Sequence, residues 1–161
     1  MSDYMWARIK IGGTISRSVL TSLVEFGVPT LPPEGVRSPR MVQHLEMEND
    51  EARWGMFEEL EAYLAEQAIP FDRVSDGRYE HSPELRRFRP RVGDERGGVS
   101  QAEIDRTFLC DHDNRPMVAL ADVAEALADT QTREELAARL VELCGSDIPG
   151  LPTLAVVEAF D

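Results

Sequence analysis

The feature that most constrains the fold of this chain is an amphipathic segment that ends at a proline. Over residues 56–68 the apolar side chains recur every three or four positions, which is the spacing of one helical stripe. Four glutamates lie mostly off that stripe, and we expect them to face water. Pro70 ends the helix, because the residue before a proline is pushed out of the helical region. The glutamates are Glu58, Glu59, Glu61 and Glu66.

An arginine-rich run follows this helix. Beyond Pro70 the sequence favours short extended segments separated by turn residues, and residues 85–91 are the most basic of them. A strand with so much arginine is expected at a sheet edge or facing solvent. We hypothesise that these arginines pair with the chain's own carboxylates. One alternative is a basic patch with an interleaved aromatic, as in single-strand nucleic-acid binders, and another is a contact with an acidic patch of a partner or with another copy of this protein. The arginines are Arg86, Arg87, Arg89 and Arg91, with Phe88 among them.

The remaining pattern predicts a single α+β domain over residues 1–161. We expect a small mixed or antiparallel sheet with helices mainly on one face. Two polar segments that contain proline or glycine, residues 28–40 and 91–105, are predicted to be flexible loops. The predicted strands lie at 6–11, 41–47, 71–74, 78–81, 85–91, 107–110 and 153–159, the last beside the first, and the other helices at about 16–26, 121–128 and 133–144. The last of these helices is expected to begin with a capping box of Thr132 and Glu135 and to stop at Gly145.

The charge of the chain is unusual. Thirty acidic residues against seventeen lysines and arginines give a net charge of −13. Such a chain repels nucleic acid unless its basic residues cluster, and it favours a partner with a basic surface, although high charge also simply keeps a protein in solution. No stretch of 18 apolar residues occurs, so no membrane-spanning segment is expected. The acid is densest over residues 46–66. The candidate partner-binding residues are Glu46, Glu48, Asp50, Glu51, Glu58, Glu59, Glu61 and Glu66.

No motif in the sequence specifies catalysis, a cofactor or a metal. The chain has no nucleophile elbow and no complete phosphate-loop signature, and Gly12 and Gly13 are interpreted as a tight turn. Cys110 and Cys144 are far apart and form no metal-binding or redox pair, so we expect reduced thiols. The alternative to a binding protein is a small enzyme or ligand-binding domain. Its candidate groups are Asp72, Asp76, Glu80 and His81, or Asp111, His112 and Asp113 with a metal.

The segment LEAYLAEQAIPFDRVSDGRYEHSPELRRFRP resembles uncharacterised small acidic proteins of bacteriophages and other mobile elements. The resemblance covers roughly residues 57–90, together with the strand and glycine pair at 6–13. It carries no catalytic motif, and it implies a phage or plasmid context, in which such proteins often inhibit host defence, as anti-CRISPR proteins do. The N-terminus resembles no signal peptide, so we expect the cytoplasm of a bacterial host.

Overall fold

A computed structural model describes residues 3–29, 43–77, 81–93 and 97–157. Within these ranges strands and helices are mixed along the chain, and the predicted α+β class is confirmed. In chain order the elements are β1 (Tyr4–Ile11), β2 (Thr14–Ser16), α1 (Arg17–Glu25), β3 (Leu45–Arg53), α2 (Glu58–Glu66), β4 (Phe71–Ser75), β5 (Glu84–Arg89), β6 (Val92–Gly93), β7 (Val99–Gln101), β8 (Ile104–Leu109), α3 (Leu120–Asp129), α4 (Arg133–Cys144) and β9 (Ala155–Val157).

The main sheet has five strands in the order β3-β1-β4-β5-β8, and each neighbouring pair is antiparallel. β1 forms because its side chains alternate: Ile9 and Ile11 are buried, whereas Lys10 is half-buried. Helices α1 and α2 cover the face that carries these isoleucines, and they contribute Leu23 and Leu64 to one apolar cluster. We call this covered side the helix face of the sheet.

The other face of the sheet carries a smaller cluster. Val74, Leu85 and Phe108 are cross-strand neighbours on β4, β5 and β8, so their side chains share one face. Ile148, which follows α4, packs against them. Gly145 at the end of α4 lies so close to Phe108 that a Cβ there would overlap the aromatic ring. The end of α4 therefore covers part of this second face.

Helices α3 and α4 form a helical hairpin whose limits are set by local signals. Thr132 accepts a hydrogen bond from the Glu135 amide, and the Glu135 carboxylate accepts one from the Thr132 amide, which completes the predicted capping box. Gly145 ends α4 in the left-handed conformation with φ of 67°, as glycine allows. Both predictions for this helix are confirmed.

Other predictions about the sheet were wrong. β5 is an interior strand between β4 and β8, not an edge, because its arginines find partners inside the protein. β9 pairs in parallel with β2, not beside β1. β3 continues to Arg53, six residues beyond the end of the strand predicted at 41–47.

Of the two predicted loops, residues 28–40 lie largely outside the described residues. The described part of 91–105 contains the paired strands β6 and β7 and the start of β8. The predicted run at 78–81 is described only at His81, which lies outside any strand. Among the described residues, none of the helices has the length and apolar character needed to cross a membrane.

Candidate protein-binding surface and the ion network beneath it

Glu61 lies on the buried side of α2 and organises the contact between this helix and the sheet. Only 2% of the residue is exposed. Its Oε1 accepts a hydrogen bond of 2.9 Å from the Phe57 amide, which stands at the start of α2, where no side chain provides a conventional cap. Its Oε2 accepts a hydrogen bond of 2.7 Å from Arg86 Nη1. One carboxylate therefore stabilises the helix start and joins the helix to β5.

Arg73 on β4 completes this network. Its Nε lies 3.2 Å from Glu61 Oε1, although the N–H is not aligned for a hydrogen bond. Its Nη1 donates to the Gly55 carbonyl at 3.0 Å, and its Nη2 donates to Glu84 Oε2 at 3.3 Å. Arg73 is 2% exposed, so its charge depends on these partners.

Arg86 connects the network to β8. Its Nε and Nη2 donate to the two carboxylate oxygens of Asp105 at 2.9 and 2.7 Å, which is a bidentate pair. The hydrogen bonds to Asp105 are the largest cause that raises the pKa of Arg86 above its ordinary value, and those to Glu61 act in the same direction. The guanidinium also lies over the Phe71 ring, 5.4 Å from its centroid.

The remaining arginines of the predicted basic patch do not share one exposed surface. Arg89 is 2% exposed, and it donates to Asp72 Oδ1 at 2.8 Å and to the Pro149 carbonyl at 2.9 Å. Arg87 donates to the Gly145 carbonyl at 3.1 Å, at the base of the helical hairpin. Arg91 is exposed. The hypothesis of internal pairing thus agrees with Arg86 and Arg89, whereas Arg87 binds a carbonyl in place of a carboxylate.

The acidic residues of α2 other than Glu61 are exposed on its outer side. Glu58 and Glu59 lie in the first turn, where negative charge also complements the helix dipole. Glu66 is the last residue of the helix, where the dipole disfavours a negative charge. Helix stability therefore explains the first two glutamates and leaves Glu66 without a structural reason. We call these three residues the α2 acidic surface.

The acidic residues of β3 point elsewhere. Glu46 and Glu48 pair in register with Lys10 and Arg8, which alternate with the buried isoleucines of β1. They therefore lie on the face of the sheet opposite α2, where Glu46 Oε1 is 3.1 Å from Lys10 Nζ. Asp50 and Glu51 are exposed at an irregularity in the β1–β3 register. The predicted acidic residues thus divide between two sides of the molecule, with β3 as an acidic sheet edge.

The prediction that Glu61 faces water was wrong. Glu61 follows Phe57 by four residues and precedes Leu64 by three, so it belongs to the buried stripe. That spacing is the signal that sequence reasoning missed, because a glutamate there requires a buried cationic partner. The partner Arg73 lies twelve residues further along the chain and was also missed as a functional group.

The proposed acid–base cluster does not converge. Asp72 is engaged by Arg89, whereas Asp76 is exposed at the end of β4. His81 is exposed and lies edge-on to Trp54, with ring centroids 5.2 Å apart. Glu80 lies outside the described residues. The described members of this set therefore do not form a shared reacting centre.

The segment of Asp111, His112 and Asp113, which the alternative hypothesis assigned to a metal, is a hydrogen-bonded turn. Asp111 Oδ1 accepts from the amides of Asp113 and Arg115 at 2.9 and 3.0 Å, and Oδ2 accepts from Arg115 Nε at 2.9 Å. The Arg115 amide is the largest cause that lowers the pKa of Asp111. His112 is exposed. In the ranges that the structure describes, no three histidine, cysteine or acidic side chains are grouped so that they could hold a metal ion.

The depression beside this turn offers no activated nucleophile. It has a volume of about 420 Å³, and its lining includes His81, Cys110 and His112. Cys110 is fully buried, and its thiol donates to the Phe108 carbonyl at 3.7 Å. Burial is the largest cause that raises the pKa of Cys110, so the neutral thiol is favoured over the reactive thiolate. The geometry favours a structural role for this cysteine.

Comparisons of the chain with protein-family models, with curated proteins and with solved structures found no match.

Proposed function

We propose that this protein is a non-catalytic binding protein of a bacteriophage or another mobile element. It acts in the bacterial cytoplasm and inhibits a host defence or nucleic-acid-handling complex, as anti-CRISPR proteins do. It does so by occupying a basic protein surface. The net charge of −13 and the resemblance of residues 57–90 to mobile-element proteins support this proposal.

The observation that carries the proposal is the placement of acid at the ends of the helices. Among the four helices of the described residues, none has a basic residue in its last turn, and each has an acidic one there. The helix dipole disfavours this arrangement, because the helix C-terminus is already negative. An outward negative field that opposes local stability fits selection for binding. These acidic residues are Glu25, Glu66, Asp129 and Glu142, all of them exposed.

The internal pairing of the arginines also supports a protein partner with a basic surface. Arg73, Arg86 and Arg89 are engaged by internal carboxylates, so they do not offer a basic patch to nucleic acid. The α2 acidic surface lies on the exposed side of α2, and the ion network on the opposite side joins this helix to the sheet. A rigid acidic surface requires little ordering when it binds, which favours affinity. We therefore place the contact with the basic partner on the outer side of α2.

The proposal is tested by expressing the protein in bacterial hosts that carry a defined CRISPR or other defence system and counting phage plaques. We expect plaques to be restored on at least one protected host. Tagged protein should retain a component of that defence complex at low salt and release it as salt rises, because exposed charges are screened. Failure to relieve any defence system, or retention that ignores salt, contradicts the proposal.

A matched pair of variants locates the contact. Replacement of Glu58 and Glu66 by lysine reverses charge on the outer side of α2, whereas the same change at Glu46 and Glu48 reverses it on the opposite face of the sheet. We expect the first variant to lose retention and relief of defence, and the second to keep most of both. Equal behaviour of the two variants contradicts the assignment to α2.

A further inference from the structure

The helical hairpin exposes an apolar face that nothing in the described part of the chain covers. Leu120 is 84% exposed and Leu127 is 57% exposed, although both belong to a well-formed helix. Residues seven apart on a helix lie on nearly the same face, and three exposed alanines extend that face. On α4, Val141 is 43% exposed. We call the five exposed residues of α3 the α3 apolar face: Leu120, Ala121, Ala124, Leu127 and Ala128.

The charged residues of α3 border a groove away from the α3 apolar face. Asp122, Glu125 and Asp129 of α3 border the same crevice as Arg139 of α4. Arg139 Nη1 donates to Glu142 Oε2 at 2.7 Å, which is the largest cause that raises the pKa of this arginine. Helical spacing turns this acidic stripe away from the leucines. Helix α3 therefore has a charged side and an uncharged side.

The hairpin reaches the sheet through the end of α4. Arg106 Nη2 donates to the Glu142 carbonyl at 2.8 Å, and Arg87 Nη1 donates to the Gly145 carbonyl at 3.1 Å. All of α3 and α4 is described, yet Ala126 alone is buried in α3 and no residue is buried in α4. Helices of this length normally hold an apolar side against other elements. Contact with the sheet supplies that cover only at one end.

We propose that the α3 apolar face binds the same face of a second copy of this chain. A basic partner would bind the acidic groove, which lies on the other side of α3. The α3 apolar face of a second copy is uncharged, so it can bind this face without an opposite charge. A two-fold axis near Ala124 would set two antiparallel α3 helices together, so that Leu120 of one copy lies against Leu127 of the other. The alanines allow close approach of the two helices. The acidic grooves stay in solvent, which limits repulsion between two chains of charge −13.

The size of this face determines the strength of the dimer. A ten-residue helix is about 15 Å long, so one helix against another buries less than the roughly 800 Å² per partner of a standard stable complex. We therefore expect a reversible dimer that dissociates on dilution. Added salt should strengthen it, because salt screens the repulsion between two acidic chains. This trend is opposite to that of the proposed basic partner, and the inference does not depend on that function.

The first test measures the molar mass of the full chain by light scattering and sedimentation over a wide concentration range. We expect the wild-type protein to shift from monomer to dimer. The double variant Leu120→Gln and Leu127→Gln should stay monomeric with an unchanged melting temperature, since both side chains are already exposed. Val24→Gln is the matched control, because Val24 is 49% exposed on α1, and it should dimerise normally. A monomeric wild-type protein, or a dimer that the leucine changes leave intact, overturns the proposal.

The second test locates the two-fold axis by cross-linking. In a Cys144→Ser background, Ala124→Cys should form an intermolecular disulfide on mild oxidation, because the two copies of residue 124 meet near the axis. Ala138→Cys is the control: Ala138 is also exposed on the hairpin, but it lines a depression beside Asp129 and Glu135 and does not belong to the α3 apolar face. It should remain unlinked under the same conditions. Equal cross-linking at the two positions overturns the proposed arrangement.

Discussion

Helix α2 and the helical hairpin differ in how they are attached to the rest of the protein. In α2, three of nine residues are buried, whereas α3 has one buried residue in ten and α4 has none in twelve. α2 lies on the sheet across a continuous apolar cluster and the ion pairs of Glu61. The hairpin is joined mainly through the end of α4 and keeps apolar side chains in solvent. The first arrangement fixes a surface in place, and the second leaves one available for assembly.

The largest effect that separates the two regions should come from Glu61. Replacement by glutamine removes the negative charge between Arg73 and Arg86 and leaves both arginines where they are. Breaking a buried ion pair from one side costs ~3–5 kcal/mol, and we expect about 3 kcal/mol here because Glu84 and Asp105 keep partial compensation. The free energy of unfolding in denaturant measures this change.

Glu58→Gln is the matched control for that experiment. Glu58 is a glutamate of the same helix that is exposed, and its replacement should change the free energy of unfolding by no more than about 0.5 kcal/mol. If the two variants are equally stable, the ion network of Glu61 does not hold α2 to the sheet. The proposed difference in attachment between α2 and the hairpin would then be wrong.

Features that depend on residues close together in the chain could be predicted from the sequence, whereas features that depend on distant partners could not. The capping box of Thr132 and Glu135 and the end of α4 at Gly145 were predicted because each depends on residues within one helical turn. The burial of Glu61 was not predicted, since its partners Arg73 and Arg86 come from strands further along the chain. The spacing of Glu61 from Phe57 and Leu64 could have placed the glutamate on the apolar stripe, but only the sheet order shows what neutralises its charge.

The order of the strands in the sheet could not be predicted from local sequence patterns. The arginines of β5 favoured an edge position, because an interior strand rarely accepts several unpaired cations. Asp105 on β8 and Asp72 on β4 supply the missing partners from either side, so the strand lies in the interior. Likewise, the α3 pattern predicts a helix correctly, yet the sequence does not reveal that its leucines remain uncovered. Exposure depends on which elements pack, and that is a property of the whole fold.

A smaller effect is expected at Gly145, the point where the hairpin meets the sheet. Gly145→Ala places a side chain at φ of 67° and drives its Cβ into the Phe108 ring. Overpacking of this kind costs about 1–3 kcal/mol. We expect the amides of α4 to exchange hydrogen faster, while those of β1 and β4 change little, because the hairpin can open by itself. Hydrogen exchange followed by mass spectrometry measures both regions in one experiment.

Gly150→Ala is the control for the hairpin junction, because a Cβ at Gly150 has no neighbour within 4 Å. Its exchange pattern should match that of the wild-type protein. A uniform increase in exchange across the sheet and the hairpin in Gly145→Ala would mean that the two regions open together. They would then differ in how they are packed but not in their local stability.

The smallest effect concerns the start of α4 and its dependence on pH. The Gln131 amide is the largest cause that lowers the pKa of Glu135, and the Thr132 amide adds to it. A carboxyl group whose pKa is lower in the folded state contributes stability above its unfolded pKa and loses that contribution as pH falls through the folded pKa. We therefore expect the first turn of α4 to fray on acidification, seen as lower amide protection there relative to the intrinsic exchange rate at each pH. Glu135→Gln should remove this dependence, whereas Glu134→Gln, a change in the same turn, should keep it. If both variants respond to pH as the wild-type protein does, the Glu135 carboxylate does not govern this helix end.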